Sequence, residues 1–127
     1  MSETTTPEGY RTVTPYLVIR GVPRLLEFVE RAFGAEVRER MEDGSGGVNH
    51  AAFRIGDSMV MAGEAPSAER VRPGVLYLYV ADADAAFARA VQAGGTVVRE
   101  PADQPYGDRN AAVSDPSGNE WWVATRR

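Results

Sequence analysis

Cysteine is absent from this chain of 127 residues, which removes disulfides, thiolate nucleophiles and sulfur metal sites together. Histidine occurs once, at His50, so a metal site built from two imidazoles is excluded within one chain. Long apolar runs are missing as well: stretches such as Val75 to Ala81 fall far short of the ~20 residues that cross a bilayer, and no targeting signal is visible at the N-terminus. A concentrated basic face is the fourth absence. Fourteen Lys and Arg stand against eighteen Asp and Glu, a net charge of -4, and the Arg31, Arg38, Arg40 group is interrupted by Glu36 and Glu39. That pattern is a solvated mixed-charge surface, not a phosphate-backbone site. The expectation is a cytoplasmic protein with neither a nucleic-acid nor a membrane partner. The Asp43-Gly44-Ser45-Gly46-Gly47 segment lacks the Gly-Lys-Ser/Thr ending of a phosphate loop and reads as a flexible hairpin connection.

What is present is an ordinary globular balance, 43% hydrophobic and 25% charged, in a length suited to one domain. Its elements come in the same order twice. Met1 to Gly9 is polar and loose, within a flexible stretch 1–11. The first module, 12–62, opens with a strand from about Thr12 to Ile19 whose Pro15 places it at a sheet edge. Gly21 and Pro23 start a helix with Leu25, Leu26, Phe28, Val29 and Phe33 on one face, and Gly34 stops it. Strands follow at Ala35–Met41, Val48–Ile55 and Ser58–Ala62, the last two joined by a Gly56-Asp57 hairpin turn. After a linker, 63–74, the second module, 75–126, repeats the order. A strand covers Val75–Val80. A helix capped by Asp82 turns Phe87, Ala90 and Val91 inward, and strands follow at Thr96–Arg99, Asn110–Val113 and Glu120–Thr125, with Pro101–Asp108 as a loop. Asn49-His50-Ala51-Ala52-Phe53 echoes Arg109-Asn110-Ala111-Ala112-Val113, and Phe33-Gly34-Ala35-Glu36-Val37-Arg38-Glu39 echoes Ala93-Gly94-Gly95-Thr96-Val97-Val98-Arg99-Glu100. A duplicated α+β module results, two βαβββ units sharing one core, because a piece of roughly 50 residues would be marginal alone. Two such sheets can surround a cleft while the helices cover their outer faces.

Thr14-Pro15-Tyr16-Leu17, Phe33-Gly34-Ala35-Glu36, Arg54-Ile55-Gly56-Asp57-Ser58, Tyr106-Gly107-Asp108-Arg109 and Asp115-Pro116-Ser117-Gly118 before Trp121-Trp122 occur in an order that resembles the vicinal-oxygen-chelate superfamily, the glyoxalase/bleomycin resistance/dioxygenase fold, and within it the PhnB-like branch. The resemblance runs from about Thr12 to Arg126. It implies a shared cleft, a homodimer, and, in the enzymes of the group, a divalent metal held between the modules. The matching ligand positions fall at about Thr14, near Met61, at Val75 and at Trp122, none of which carries the family's His or Glu. The expectation is therefore no metal and no cofactor.

The candidate ligand-binding residues are Tyr16, His50, Met61, Tyr77, Tyr106, Asp108, Arg109, Glu120 and Trp122, with no catalytic residue assigned. Alternation puts Glu120 and Trp122 on one face of the last strand and Trp121 and Val123 on the other; the resemblance implies that the face of the final metal ligand points into the cleft, which makes Trp122 the wall of the cleft or the filler of its vacated metal volume, and Trp121 the packing residue. Asp108 and Arg109 pair with each other or aim one charge each at the cleft. Asp82 and Asp84 are explained by helix capping. The leading reading is a metal-independent protein binding an aromatic or cationic small molecule, an antibiotic or secondary metabolite. The alternatives are a metal-free lyase or isomerase using His50, Glu120 or a tyrosine, and a noncatalytic structural or interaction domain.

Overall fold

The computed structural model describes residues 6–45 and 47–127; the expectation of a flexible start falls in part on residues 1–5, which with Gly46 lie outside the described residues. The element order is β1 (Tyr16–Ile19), α1 (Val22–Phe33), β2 (Glu36–Glu42), β3 (Val48–Ile55), β4 (Ser58–Glu64), a 3-10 turn (Ala68–Arg70), β5 (Val75–Tyr79), α2 (Ala83–Gln92), β6 (Thr96–Asp103), β7 (Asp108–Ser114) and β8 (Glu120–Arg126). The strands form two four-stranded sheets of identical plan, β1-β4-β3-β2 and β5-β8-β7-β6. In each, the first strand pairs in parallel with the fourth, and the remaining pairs are antiparallel. Two βαβββ modules are thus present, as the repeated sequence order requires.

Each helix packs on its own sheet, and the two helices pack on each other. Leu25, Leu26, Phe28 and Val29 of α1 are buried against Ile19, Ala51, Phe53 and Ala62, and the same cluster takes in Ala90, Val113 and Trp121 of the second module. One core therefore serves both halves. On α2 the buried residues are Ala83, Ala86 and Ala90, with Phe87 partly covered, while Val91 is 37% exposed. The inward stripe starts at Ala83 and steps by three and four residues to Ala90, which leaves Val91 about 100° off it. Asp82 caps this helix as its position predicts, accepting from the Ala85 N–H at 3.1 Å.

Several boundaries differ from the sequence reading. β1 begins only at Tyr16, because Pro15 has no N–H to offer and joins the sheet through its carbonyl, which accepts from Met61 N at 2.9 Å. β4 runs on to Glu64, into the expected linker. Its carboxylate accepts from the N–H groups of Gly21 and Val22 at 2.9 to 3.1 Å and so caps α1 from outside, since Gly21 has no side chain to do it. β6 continues through Pro101 to Asp103; it is the edge strand, and its register slips between Arg99 and Ala102, where a missing donor costs little. In the glycine-rich loop the Asp43 carboxylate takes the amides of Ser45 and Gly47 for itself. Those bonds hold its pKa below the ordinary value.

The β7–β8 turn joins the modules. The buried Asp115 carboxylate accepts from Ser117 N (2.8 Å), Asn119 N (3.0 Å), Asn119 Nδ2 (2.9 Å) and Trp121 Nε1 (2.7 Å), and Asn119 Oδ1 in turn accepts from Gly74 N at 2.9 Å. Asp115→Ala leaves the Asn119 and Trp121 donors buried without an acceptor. The expected loss of stability is about 3 kcal/mol, read as a fall in the urea midpoint, with Asp115→Asn losing less because it keeps one acceptor oxygen. A loss under ~1 kcal/mol for the alanine variant would show that water replaces the carboxylate.

Candidate functional site

The helices cover one face of each sheet; the other is the open face, and strand register decides what it carries. In the first sheet a cross-strand row reads Tyr16, Met61, Ala52, Glu39, and the next reads Val18, Gly63, His50, Met41. In the second, the corresponding rows read Tyr77, Trp122, Ala112, Arg99 and Tyr79, Ala124, Asn110, Ala102. The duplication is therefore visible position by position. Tyr16 matches Tyr77, Met61 matches Trp122, Ala52 matches Ala112, and His50 matches Asn110.

On the second sheet, small residues at Ala112 and Ala124 let the rings of β5 lie across the strands. Tyr77 stacks on Trp122 with ring centroids 6.1 Å apart and planes 24° from parallel, and it meets Tyr79 edge-on at 5.5 Å. The Arg99 guanidinium lies over the Trp122 ring, 5.5 Å from its centroid, a cation–π contact. The indole N–H of Trp122 donates to Glu120 Oε2 at 2.7 Å.

Beyond this wall is a polar network around Asp108, which is 2% exposed. Asp108 Oδ2 accepts from the hydroxyls of Tyr77 (2.7 Å) and Tyr79 (3.0 Å). Its Oδ1 lies 2.9 Å from Arg126 Nε but out of line with the N–H, so that contact is ionic without an aligned hydrogen bond. Asn110, fully buried, donates from Nδ2 to Tyr77 (3.0 Å) and Tyr106 (2.9 Å) and accepts from Gln104 Nε2 at 3.2 Å. Gly107, at φ 102, makes the tight turn that brings Tyr106 over the sheet, and Arg126 Nη1 holds the Tyr106 carbonyl at 3.1 Å. Burial is the main cause that raises the Tyr77 pKa to about 12, with Asp108 adding to it and the Asn110 bond opposing it. Tyr77 is thus a neutral hydrogen-bond relay throughout the physiological range.

The first sheet's open face is built differently. Tyr16 meets His50 edge-on at 5.9 Å, and its hydroxyl lies over Gly63, where a Cβ would stand 2.5 Å away. His50 Nε2 is 3.9 Å from Glu39 Oε1. Met61, with Met59, Arg38 and Arg54, lines a cavity of about 590 Å³ covered by Pro7–Tyr10. A second cavity of about 650 Å³ opens between β1 and β5, with Tyr16 and Leu17 on one wall and Tyr77 and Tyr79 on the other.

The nine sequence-derived candidates therefore divide. Tyr77, Tyr106, Asp108, Glu120 and Trp122 come together on the second sheet, and Tyr16, His50 and Met61 on the first. Arg109 belongs to neither group. It follows Asp108 by one residue and so points to the helix side, where it binds Asp84 at 2.9 and 3.2 Å and approaches Asp103 at 3.4 Å. Asp108 and Arg109 do not pair, because adjacent residues of a strand face opposite ways. Asp84 accordingly holds an arginine in addition to sitting in the first turn of α2. Five contributors lie outside the nine: Tyr79, Gln104, Asn110, Arg99 and Arg126. Asn110 was reachable, since it aligns with His50 in the repeat; Arg99 and Arg126 depended on a register slip and on the full length of β8.

Residues 12–123 match the model of the Glyoxalase/Bleomycin resistance protein/Dioxygenase superfamily. An uncharacterised protein of Mycobacterium bovis is 34% identical over 120 residues, covering 86% of this chain and 79% of that protein. The anthracycline biosynthesis protein DnrV of Streptomyces peucetius is 36% identical over 113 residues, which cover 87% of this chain but 40% of DnrV. Among solved structures, TioX from Micromonospora sp. ML1 superposes with a TM-score of 0.72 at 23% identity, covering 91% of this chain and 99% of TioX; at that identity the likeness shows the fold.

The Tyr77 network has a pH signature. Its pKa is raised above the unfolded value near 10, so the native state holds this proton more tightly than the unfolded chain. The stabilisation is whole below pH ~10 and is lost as pH rises toward about 12. Tyrosinate absorbance should show one late-titrating group, and Tyr77→Phe should remove it and flatten the alkaline fall in stability. A Tyr77→Phe variant with an unchanged absorbance titration would contradict the network.

Proposed function

The chain belongs to the glyoxalase/bleomycin resistance protein/dioxygenase superfamily, and on that premise we propose that it is a metal-independent binding protein for a planar, partly apolar small molecule, an antibiotic or secondary metabolite. The observation that carries the reading is the Tyr77–Trp122 wall, an aromatic platform on an open face with a flat cation, Arg99, already lying on the indole. Arg99 is exposed and in no ion pair among the described residues, so it can swing aside for a ring system or close over it. Rigid aromatic side chains give large contact area at little entropic cost. A relative named for anthracycline biosynthesis supports a polycyclic ligand. Placement in the PhnB-like branch and a cytoplasmic site of action belong to the same proposal.

The residues present do not fit the divalent ion that the superfamily's enzymes use. The four implied positions carry Thr14, Met61, Val75 and Trp122. Met61 faces the first sheet's cavity, Val75 is 71% exposed, and Trp122 is stacked on Tyr77. Among the described residues no three His, Cys, Asp or Glu side chains converge. His50 and Glu120 belong to different sheets, and the tyrosines of the second sheet are bound up with Asp108 and Asn110, which supports binding over the lyase or isomerase alternative. A homodimer is part of the proposal: Tyr16, Tyr79 and Tyr106 are 56%, 59% and 57% exposed, and a second copy could cover these faces and close the cleft.

Native mass spectrometry against a library of planar metabolites tests the reading. Wild-type protein, as purified without added metal, is expected to retain a ligand that Trp122→Ala loses while keeping its fold by circular dichroism and its oligomeric mass. Stoichiometric, tight divalent metal in the purified protein, or unfolding of Trp122→Ala with no ligand found for wild type, would overturn it in favour of catalysis or packing respectively.

A further inference from the structure

The hydrogen-bond network determines which polar group the open face presents, and this rests on the binding reading above. Paired with Arg126, the Asp108 carboxylate accepts and has no proton to donate, so the Tyr77 and Tyr79 protons are both committed to its Oδ2. Tyr77 has spent its single proton. The Asn110 atom 3.0 Å from the Tyr77 oxygen must then be the amide nitrogen, which fixes the amide orientation and leaves its oxygen for Gln104. The same nitrogen gives its second proton to Tyr106 at 2.9 Å. Tyr106 is therefore an acceptor within the network, and its own O–H donates to no described residue. At 57% exposure it stands at the rim of the face that carries Trp122.

The charges of this face point the same way. Asp108 is sealed beneath two phenols and Arg126, and Glu120, half-buried, gives one oxygen to the Trp122 N–H. Arg99 and Arg126 balance Asp108 and Glu120, so the chain's net charge of -4 is not expressed here. What a ligand meets is a phenolic O–H and the Arg99 guanidinium, both donors.

We infer that the ligand is a planar ring system bearing an acceptor oxygen, a carbonyl or an anionic oxygen, that stacks on Trp122 and accepts a hydrogen bond from the Tyr106 hydroxyl. A cationic ligand, suggested by overall charge alone, finds on this face only the half-buried Glu120, whose Oε2 already accepts from the Trp122 N–H. Tyr106 acts as a specificity residue: it selects for an acceptor at a modest cost to the fold, because it is exposed and its hydroxyl serves only one proton of the buried Asn110 amide.

The test uses two flat tricyclic probes of similar area, anthraquinone-2-sulfonate and the cation 9-aminoacridine, titrated by calorimetry against the full chain and its Tyr106→Phe and Trp122→Ala variants. Wild type is expected to bind the anthraquinone at least about tenfold more tightly than the acridine. Tyr106→Phe should weaken the anthraquinone about five- to tenfold, as one hydrogen bond implies, and leave the acridine unchanged, while Trp122→Ala weakens both. Equal or tighter acridine binding, or anthraquinone binding within twofold of wild type in Tyr106→Phe, overturns the inference while binding that depends on Trp122 keeps the aromatic-wall reading intact. Failure of both probes to bind wild type, or binding indifferent to Trp122, removes the aromatic-wall reading and this inference with it.

Discussion

The arrangement of the open face depends on where the indole of Trp121 is anchored. That side chain is fully buried, tilted against Phe33 of the other module at 5.2 Å, and its N–H is held by Asp115. Burying an indole of this size removes on the order of 200 Å² from water, worth about 5 kcal/mol at most. Turning it outward would forfeit that and remove one of the donors that hold the buried Asp115 carboxylate. Because side chains alternate along a strand, fixing Trp121 inward fixes Trp122, Glu120 and Ala124 outward. The outward aromatic wall is thus a consequence of a packing decision made one residue away, and the same turn ties the linker to the second module through Asn119 and Gly74.

Duplication explains how two faces of one plan acquired different chemistry. The rows Tyr16-Met61-Ala52-Glu39 and Tyr77-Trp122-Ala112-Arg99 occupy equivalent places, and each interior alanine keeps the middle of its sheet low so that a β-edge tyrosine can lean across. What differs lies one row away. Tyr77 reaches a buried carboxylate at Asp108, whereas Tyr16 leans over Gly63 toward His50. A buried carboxylate orders three phenols and an amide into a single proton direction; an imidazole beside a glycine imposes no such order. The second sheet is accordingly pre-organised, and preorganisation is what lets a small number of polar groups discriminate between ligands.

Much of this was legible in the sequence because it is periodic. The repeated element order, the Gly56-Asp57 hairpin, the Asp82 cap and the opposed faces of Trp121 and Trp122 all follow from spacing, and the structure carries each of them. Site assembly was less legible. Strand alternation read from Asp108 would have turned Arg109 toward α2, yet the adjacent opposite charges invited pairing. Arg99 reaches Trp122 only because β6 slips register between Val97 and Arg99, and a bulge leaves no mark in composition. Glu64 closes α1 from 42 residues away, a long-range bond that local patterns do not encode. Periodicity reports which face a residue occupies; it does not report which residue of a distant strand stands opposite.

A divalent metal centre and the Asp108 network act in opposite directions on the groups around them. A divalent ion between two modules supplies a positive centre that orients oxygen ligands and lowers the pKa of whatever it binds. Here the centre of the second sheet is negative and shielded, and its effect on the groups around it is the reverse: Tyr77 is held protonated, with its pKa raised to about 12. A group poised that far above neutral pH is a poor general base. It is well suited to passing on hydrogen-bond direction. A carboxylate that fixes the protons around it suits a face that reads a ligand better than one that activates it, and this is the physical support for the recognition role proposed above.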